Sequence, residues 1–219
     1  MIQWLPVVIG PTDTAPLWGA SATGHPMREV TRAVAFDPDG WTPERQSQVI
    51  ALFDGLASEW NDRDVPERKL PILDALDRGL AAAPGVSCDV AIELGGGTGV
   101  NLPAIEGRFA TLVTLDISAE MLRLAPPRVA RVQGDGSKLP LPDGRVDALI
   151  LINMFLFPTE VDRVLAPAGV VVWVNSRGVE TPIHLTADEV DEALPGAWSG
   201  VASAAGSGTW SVHWRDRPT

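Results

Sequence analysis

Residues 93–99 read Glu93-Leu94-Gly95-Gly96-Gly97-Thr98-Gly99. An apolar run, Val90-Ala91-Ile92, leads into them, and four of the five residues after Leu94 are glycine. The pattern predicts a buried strand that opens into a tight turn. Glycine has no Cβ, so positive φ costs little and a ligand can lie against the main chain. An ordinary turn needs one or two glycines; four point to backbone that something approaches closely.

Downstream, apolar runs alternate with helical patterns. Strands are expected over residues 88–94, 109–115, 129–132, 146–152 and 170–174. Short helices are expected over residues 100–105, from Ser118 through Met121, Leu122 and Leu124, and over residues 160–165 before Pro167 and Gly169. The run at 146–152 is nearly continuous, as in a strand covered on both faces. Such alternation predicts a doubly wound parallel α/β sheet. The end differs: Thr186 and Glu189 form a capping box for a helix over 186–194. Segments 198–205 and 209–215 then flank Gly206-Ser207-Gly208, a hairpin pattern that makes the last strands antiparallel.

Ligands of open α/β sheets bind outside the carboxyl ends of the strands, at the point where strand order reverses. Four features fall at carboxyl ends: the glycine turn, Asp116, Gly134-Asp135-Gly136 and Asn153. A carboxylate closing the second strand suits a ribose, since it accepts from both vicinal hydroxyls. Asp135 suits an exocyclic amine, with the Gly136 N–H donating to a ring nitrogen. The dinucleotide fingerprint G-x-G-x-x-G fails, because Val100 stands at its third glycine. No Gly-Lys-Ser/Thr follows, so a P-loop fails too.

These residues resemble class I S-adenosylmethionine-dependent methyltransferases, of the type 11/25-like group. The acid and G-x-G-x-G of the family's first motif are matched by Glu93, Gly95, Gly97 and Gly99. The acid closing its second strand is matched by Asp116, with Ile117-Ser118-Ala119-Glu120-Met121-Leu122 after it. The third loop is matched by Gly134-Asp135-Gly136 and Leu139-Pro140-Leu141-Pro142-Asp143. The resemblance implies a Rossmann-like, seven-stranded, mostly parallel sheet with an antiparallel C-terminal hairpin and an N-terminal helical cap. It implies that Glu93 and Gly95-Gly96-Gly97 with Gly99 hold the methionine part of S-adenosyl-L-methionine. Asp116 would take the ribose with Ile117 against the adenine, Asp135 and Gly136 would read the adenine edge, and Met121 and Gly134 would also contact the cofactor. Asn153 would floor the site near the methyl group, and Trp60 and Arg63 would close over the methionine carboxylate. His184 is the best-placed candidate base for an acceptor that must lose a proton; His25 and His213 have less claim. Met154-Phe155-Leu156-Phe157 suits an apolar acceptor pocket or the core.

Upstream, Thr42 and Pro43 start an amphipathic helix carrying Val49, Leu52, Phe53, Leu56 and Trp60. Pro66-Glu67-Arg68 starts another, with Leu70, Leu73, Leu76 and Leu80 inward. The expected organisation is one domain: an irregular extension over 1–40, a helical cap over 41–85 and a cofactor-binding core over 86–219. Val7-Val8-Ile9 reads as a short strand. Met27 offers a second start, which would leave the first 26 residues with no role in the fold.

The 219-residue chain carries 28 acidic against 17 basic residues, a net charge of −11. That balance argues against tracking phosphates, hence against nucleic acid as a partner. Cys88 is the lone cysteine, which excludes an intrachain disulfide and a Cys-rich metal site; it is expected to be a small buried hydrophobe. The longest apolar stretch, 148–157, is broken by Asn153 and falls short of the ~20 residues of a membrane span. Residues 1–9 lack the pattern of a signal peptide. The expectation is a cytoplasmic enzyme that methylates a small-molecule acceptor and needs no metal, with a homodimer left open. One alternative is an NAD(P)-dependent oxidoreductase, disfavoured by Val100 and by the absence of tyrosine, hence of a Ser/Tyr-x-x-x-Lys pair. Another is a non-catalytic cofactor-binding partner protein.

Overall fold

The computed structural model describes residues 1–9 and 24–216; the Arg63 side chain also lies outside the described residues. Among the described residues eight strands form one sheet: β1 (Ile2–Trp4), β2 (Val90–Leu94), β3 (Thr111–Asp116), β4 (Ala130–Gln133), β5 (Val146–Ile152), β6 (Leu165–Asn175), β7 (Trp198–Ala205) and β8 (Gly208–Arg215). Their order is β1-β7-β8-β6-β5-β2-β3-β4. Pairing is parallel except where β8 runs against β6 and β7. The expected reversed hairpin is therefore present, but the sheet has one strand more than the seven expected.

The extra strand is β1, which pairs in parallel with β7 through Ile2, Gln3 and Trp4 opposite Gly200, Val201 and Ala202. Leu5 N–H continues the ladder to the Ala202 carbonyl, and Val8 bridges to Ala205. The start of the chain thus has a role in the fold, and the reading of 1–40 as irregular is corrected. Three residues are too short for a period-2 signal, so partner pairing and not local pattern decides the strand. The same region holds helix α1 (Pro26–Phe36), with His25 as its N-cap. The stretch 10–23 of the expected irregular extension lies outside the described residues.

Along β2, β5 and β6, successive residues alternate between two cores. Ile92, Leu94, Leu149, Leu151, Val171 and Trp173 pack on one face, against the helix Pro158–Val164 and Leu185, Val190 and Leu194. Ala91, Ala148, Ile150, Val170 and Val172 pack on the other, against Ile72, Ala75 and Leu76. Leu76 sits inward as expected, but Leu70, Leu73 and Leu80 are only half-buried. The segment is broken into 3-10 (Pro66–Lys69), α (Leu70–Asp74), π (Ala75–Gly79) and α (Leu80–Ala82) turns, so a fixed 3.6-residue period misplaces its inner face. Cys88 is exposed just before β2, contrary to the expected burial. No helix among the described residues is long and apolar enough to cross a membrane.

Helix α2 (Pro43–Leu56) starts where expected, with Thr42 Oγ1 accepting from Arg45 N–H at 3.2 Å. It ends at Leu56 and tightens into a 3-10 segment, Ala57–Arg63. Among its residues Val49 is buried, while Leu52 is 42% exposed and Phe53 and Leu56 are half-buried. An amphipathic helix with so little of its apolar stripe covered is facing something other than the core.

Candidate functional site

What the stripe faces is a cavity of about 470 Å³, within the size range of small-ligand sites. Leu52, Phe53, Leu56 and Trp60 line one side of it. The opposite side is the carboxyl edge of the sheet, where the order reverses between β2 and β5. β2 contributes Gly95-Gly96-Gly97, β3 contributes Asp116 and Ile117, and the loop after β4 contributes Gly134-Asp135-Gly136. Asn153 just after β5, Ser176 just after β6 and Met121 line the cavity as well.

The glycine turn is folded back onto β3. Gly95 and Gly96 N–H donate to the Leu115 carbonyl at 2.7 and 3.2 Å. Gly97 N–H donates to Asp116 Oδ2 at 2.8 Å, and Ser118 N–H to Oδ1 at 2.8 Å. Gly95 and Gly97 have φ of +73° and +56°. A Cβ on Gly96 would stand 1.9 Å from Thr114 Oγ1, so that glycine is required by packing. Gly97 differs: the nearest atoms to a Cβ there, Met121 Sδ, Asp116 Oδ2 and Trp60 Nε1, stand at 3.7–3.9 Å. There bare backbone meets open cavity, the close approach that the glycines imply.

Burial pushes the Asp116 carboxyl above the usual range, against the pull of the Ser118, Gly97 and Ile117 N–H groups. Glu93 does not line the cavity. It is 1% exposed and lies beneath the turn, where a Cβ on Gly96 would come within 2.7 Å of its Oε2. Thr114 Oγ1 donates to Oε2 at 3.3 Å, while Oε1 is buried with no hydrogen bond among the described residues. Burial pushes this carboxyl up to about 8; the Thr114 hydroxyl pulls it back, the Asp116 charge adds to the rise, and the Asn101 side chain and the Lys69 charge oppose it.

Residues 92–173 match the family model of the methyltransferase domain. The match covers less than half of the chain, which it marks as similar to methyltransferases. S-adenosylmethionine is the cofactor that this similarity indicates. Solved structures share the fold. The DhpI–SAH complex is 21% identical over 79% of this chain and 98% of that one, with a TM-score of 0.61. The PH0226 protein of Pyrococcus horikoshii is 16% identical over 71% and 94%, with a TM-score of 0.55. A chain from the complex of the Haloferax volcanii Trm112 methyltransferase activator with a methyltransferase is 18% identical over 75% and 98%, with a TM-score of 0.53. Among curated proteins nothing matches.

The chain holds several sequence-expected residues in unexpected surroundings. Asp135 lines the cavity, but its carboxylate already accepts from Trp41 Nε1 at 3.1 and 3.2 Å, from Gln46 Nε2 at 2.6 Å and from Ser137 N–H at 2.8 Å. Asn153 has φ +52°, a left-handed conformation that asparagine tolerates. Its side chain ties β5 to β6, donating to Ser176 Oγ at 2.9 Å and accepting from Ser176 N–H at 2.8 Å. Gly99 does not line the cavity; a Cβ there would meet Leu102 Cδ1 at 2.6 Å. Trp60 lines it beside Gly97. The expected role of Arg63 falls on a side chain outside the described residues.

His184 is not against the cavity. It is buried, 3.2 Å from Arg28 Nη1 of α1 through its Nδ1. Arginine only donates, so Nδ1 accepts and the ring is neutral. Burial and the Arg28 charge bring its pKa down to about 4. So placed, it anchors α1 and is a poor base, which corrects the expectation.

His25, given less claim from sequence, does line the cavity; its Nδ1 accepts from Met27 N–H at 3.2 Å as the cap of α1. Sequence reading also missed Trp41 and Gln46 on Asp135, and Arg68 and Arg177 at the cavity wall. A tryptophan just before a helix start was the available signal for the first; a lone arginine after a strand carries none.

Proposed function

We propose that this chain is a methyltransferase that transfers the methyl group of its cofactor to a small-molecule acceptor held between the sheet edge and α2. The observation that supports this most is Gly97, whose bare backbone, the Asp116 carboxylate and Trp60 share one enclosed face of a 470 Å³ cavity. A cavity of that size, roofed by apolar side chains of its own chain, suits a small acceptor better than a macromolecular surface.

The open space over Gly97, with Asp116 beside it, fits the cofactor. Asp116 would take the ribose hydroxyls, Ile117 and Met121 the adenine faces, and the Gly95–Gly97 backbone with Trp60 the methionine end. When bound, S-adenosylmethionine supplies a methyl group activated by its sulfonium and open to in-line displacement. The chain's own contribution is positioning and exclusion of water. Phe53, Leu56 and Trp60 roof the cavity, Asn153 with Ser176 fixes its floor, and Trp41 with Phe155 and Phe157 walls it.

Calorimetry with S-adenosylhomocysteine and, separately, NAD tests the cofactor half. Saturable binding of the first and none of the second is expected; binding of NAD alone would overturn the reading. The acceptor half is tested by mass spectrometry of a small-molecule extract incubated with enzyme and cofactor. A low-mass compound gaining one methyl group is expected, and methyl label appearing in protein or nucleic acid instead would refute it.

A further inference from the structure

A carboxylate at the end of β4 suits the adenine amine, but the Asp135 carboxylate has other partners. Its Oδ1 accepts from Ser137 N–H at 2.8 Å and from Trp41 Nε1–H at 3.1 Å. Its Oδ2 accepts from Gln46 Nε2 at 2.6 Å and from the same Trp41 N–H at 3.2 Å. Three donors thus make four contacts, matching the about four lone-pair sites of a carboxylate. An adenine amine would have to displace one of them. Asp116 differs, because each of its oxygens accepts a single backbone N–H, from Gly97 and from Ser118.

Gly136, the next residue, is closed as well. A Cβ there would stand 2.7 and 2.8 Å from Phe157 Cε2 and Cδ2. Over Gly97, by contrast, nothing comes nearer than 3.7 Å. The loop after β4 is therefore taken up by aromatic rings of its own chain, Trp41 at Asp135 and Phe157 at Gly136. These two rings meet edge to face, with centroids 5.3 Å apart and planes at 76°, an arrangement that their quadrupoles favour. Trp41 also tilts against Phe155 at 5.7 Å. Trp41 precedes the first turn of α2, so the helix ladder does not set its ring; the carboxylate does. The indole has one polar atom, a donor, and Asp135 takes it. What Trp41 adds to the cavity lining is apolar surface.

We propose that Asp135 is a positioning residue: its carboxylate fixes Trp41 as a wall of the acceptor's part of the cavity and takes no hydrogen bond from the cofactor. This rests on the division of the cavity proposed above. A change at Asp135 reaches the acceptor through the Trp41 ring, and it reaches the nucleoside only as far as the roof loosens.

The test uses full-length protein. Affinities for S-adenosylhomocysteine and for S-inosylhomocysteine, whose purine carries a carbonyl oxygen in place of the amine, are measured calorimetrically in wild type and Asp135→Ala. Their ratio isolates any contact between Asp135 and the amine, because a looser roof weakens both ligands alike. The ratio is expected to hold within about twofold. A larger fall overturns the proposal; loss of a charge-assisted bond to the amine would lower it about tenfold or more. The second arm follows the Trp41 indole N–H by heteronuclear NMR, its signal identified as the one missing in Trp41→Phe. Asp135→Ala is expected to speed its exchange with water about tenfold. Asp135→Asn, whose amide oxygen still accepts, is expected to recover part of the protection. Saturating wild type with S-adenosylhomocysteine is expected to leave the protection in place. Unchanged exchange in Asp135→Ala, or an indole N–H released when S-adenosylhomocysteine binds, would overturn the proposal. Failure of S-adenosylhomocysteine to bind wild-type protein would instead sink the cofactor assignment, a separate result that the indole measurement on free protein does not depend on.

Discussion

At the scale of single residues, Asp116 carries two jobs at once. Each of its oxygens already accepts one backbone N–H, from Gly97 and from Ser118. That leaves lone pairs on both oxygens for ribose hydroxyls. Asp116→Ala is expected to weaken S-adenosylhomocysteine binding by about 2–4 kcal/mol, from two charge-assisted bonds at ~1.5–3 each less what water replaces. That is a rise of roughly 30- to 1,000-fold in dissociation constant. Asp116→Asn is expected to do no better, because its amide nitrogen would face one of the two backbone donors. Calorimetry on both variants, with folding checked by circular dichroism, decides it; unchanged affinity removes Asp116 from the site.

Among the elements, α2 bridges two loops of the site. Its Gln46, with Trp41 just upstream, holds Asp135 after β4, and its Asp54 accepts from Ser118 Oγ and from Glu120 N–H, after β3. The roof is therefore latched to the two loops that the nucleoside would touch. Asp135→Ala is expected to raise hydrogen exchange across 43–56 by about 5- to 30-fold. The basis is the loss of roughly 1–2 kcal/mol of charged hydrogen bonds in a half-buried setting. Exchange confined to wild-type rates would show that the latch does not hold the helix. This arrangement also marks where sequence reading stops. The glycine turn, Asp116 and the Asp135 loop were legible because strand periodicity and turn chemistry are local. So was the capping box at Thr186, and so was the start of α2 at Thr42. The partner of Asp135 was not, since nothing in Trp41 or Gln46 says which loop will lie opposite across 94 or 89 residues. For the same reason β1 stayed hidden: three residues have no period, and only β7 makes them a strand. His184 was legible as lying beyond the strand that became β6, but not as turned toward Arg28.

Over the whole molecule, two buried groups tilt stability with pH in opposite directions. His184 is brought down to about 4 from its ordinary 6.5, so the unfolded chain binds more protons between those values and stability is lost as pH falls through that window. Glu93 is raised from 4.5 to about 8, so the folded chain holds the extra proton and stability is lost as pH rises through its window. The two slopes oppose one another between pH 4.5 and 6.5, where each amounts to about 1.4 kcal/mol per unit. Above 6.5 only the Glu93 slope of this pair remains, until its folded pKa near 8. The expected outcome is a ligand-free unfolding free energy that falls by about 2 kcal/mol between pH 6.5 and 8, that window of 1.5 units multiplied by the same slope. Glu93→Gln keeps the shape and removes the charge. It should flatten that decline, leaving the variant more stable than wild type at pH 8 and no more stable at pH 5. Urea denaturation of both proteins across this range measures the difference. A wild-type decline that persists unchanged in Glu93→Gln would show that the carboxyl under the glycine turn is ionised in the folded state throughout, and that the burial beneath Gly96 is offset by partners stronger than Thr114.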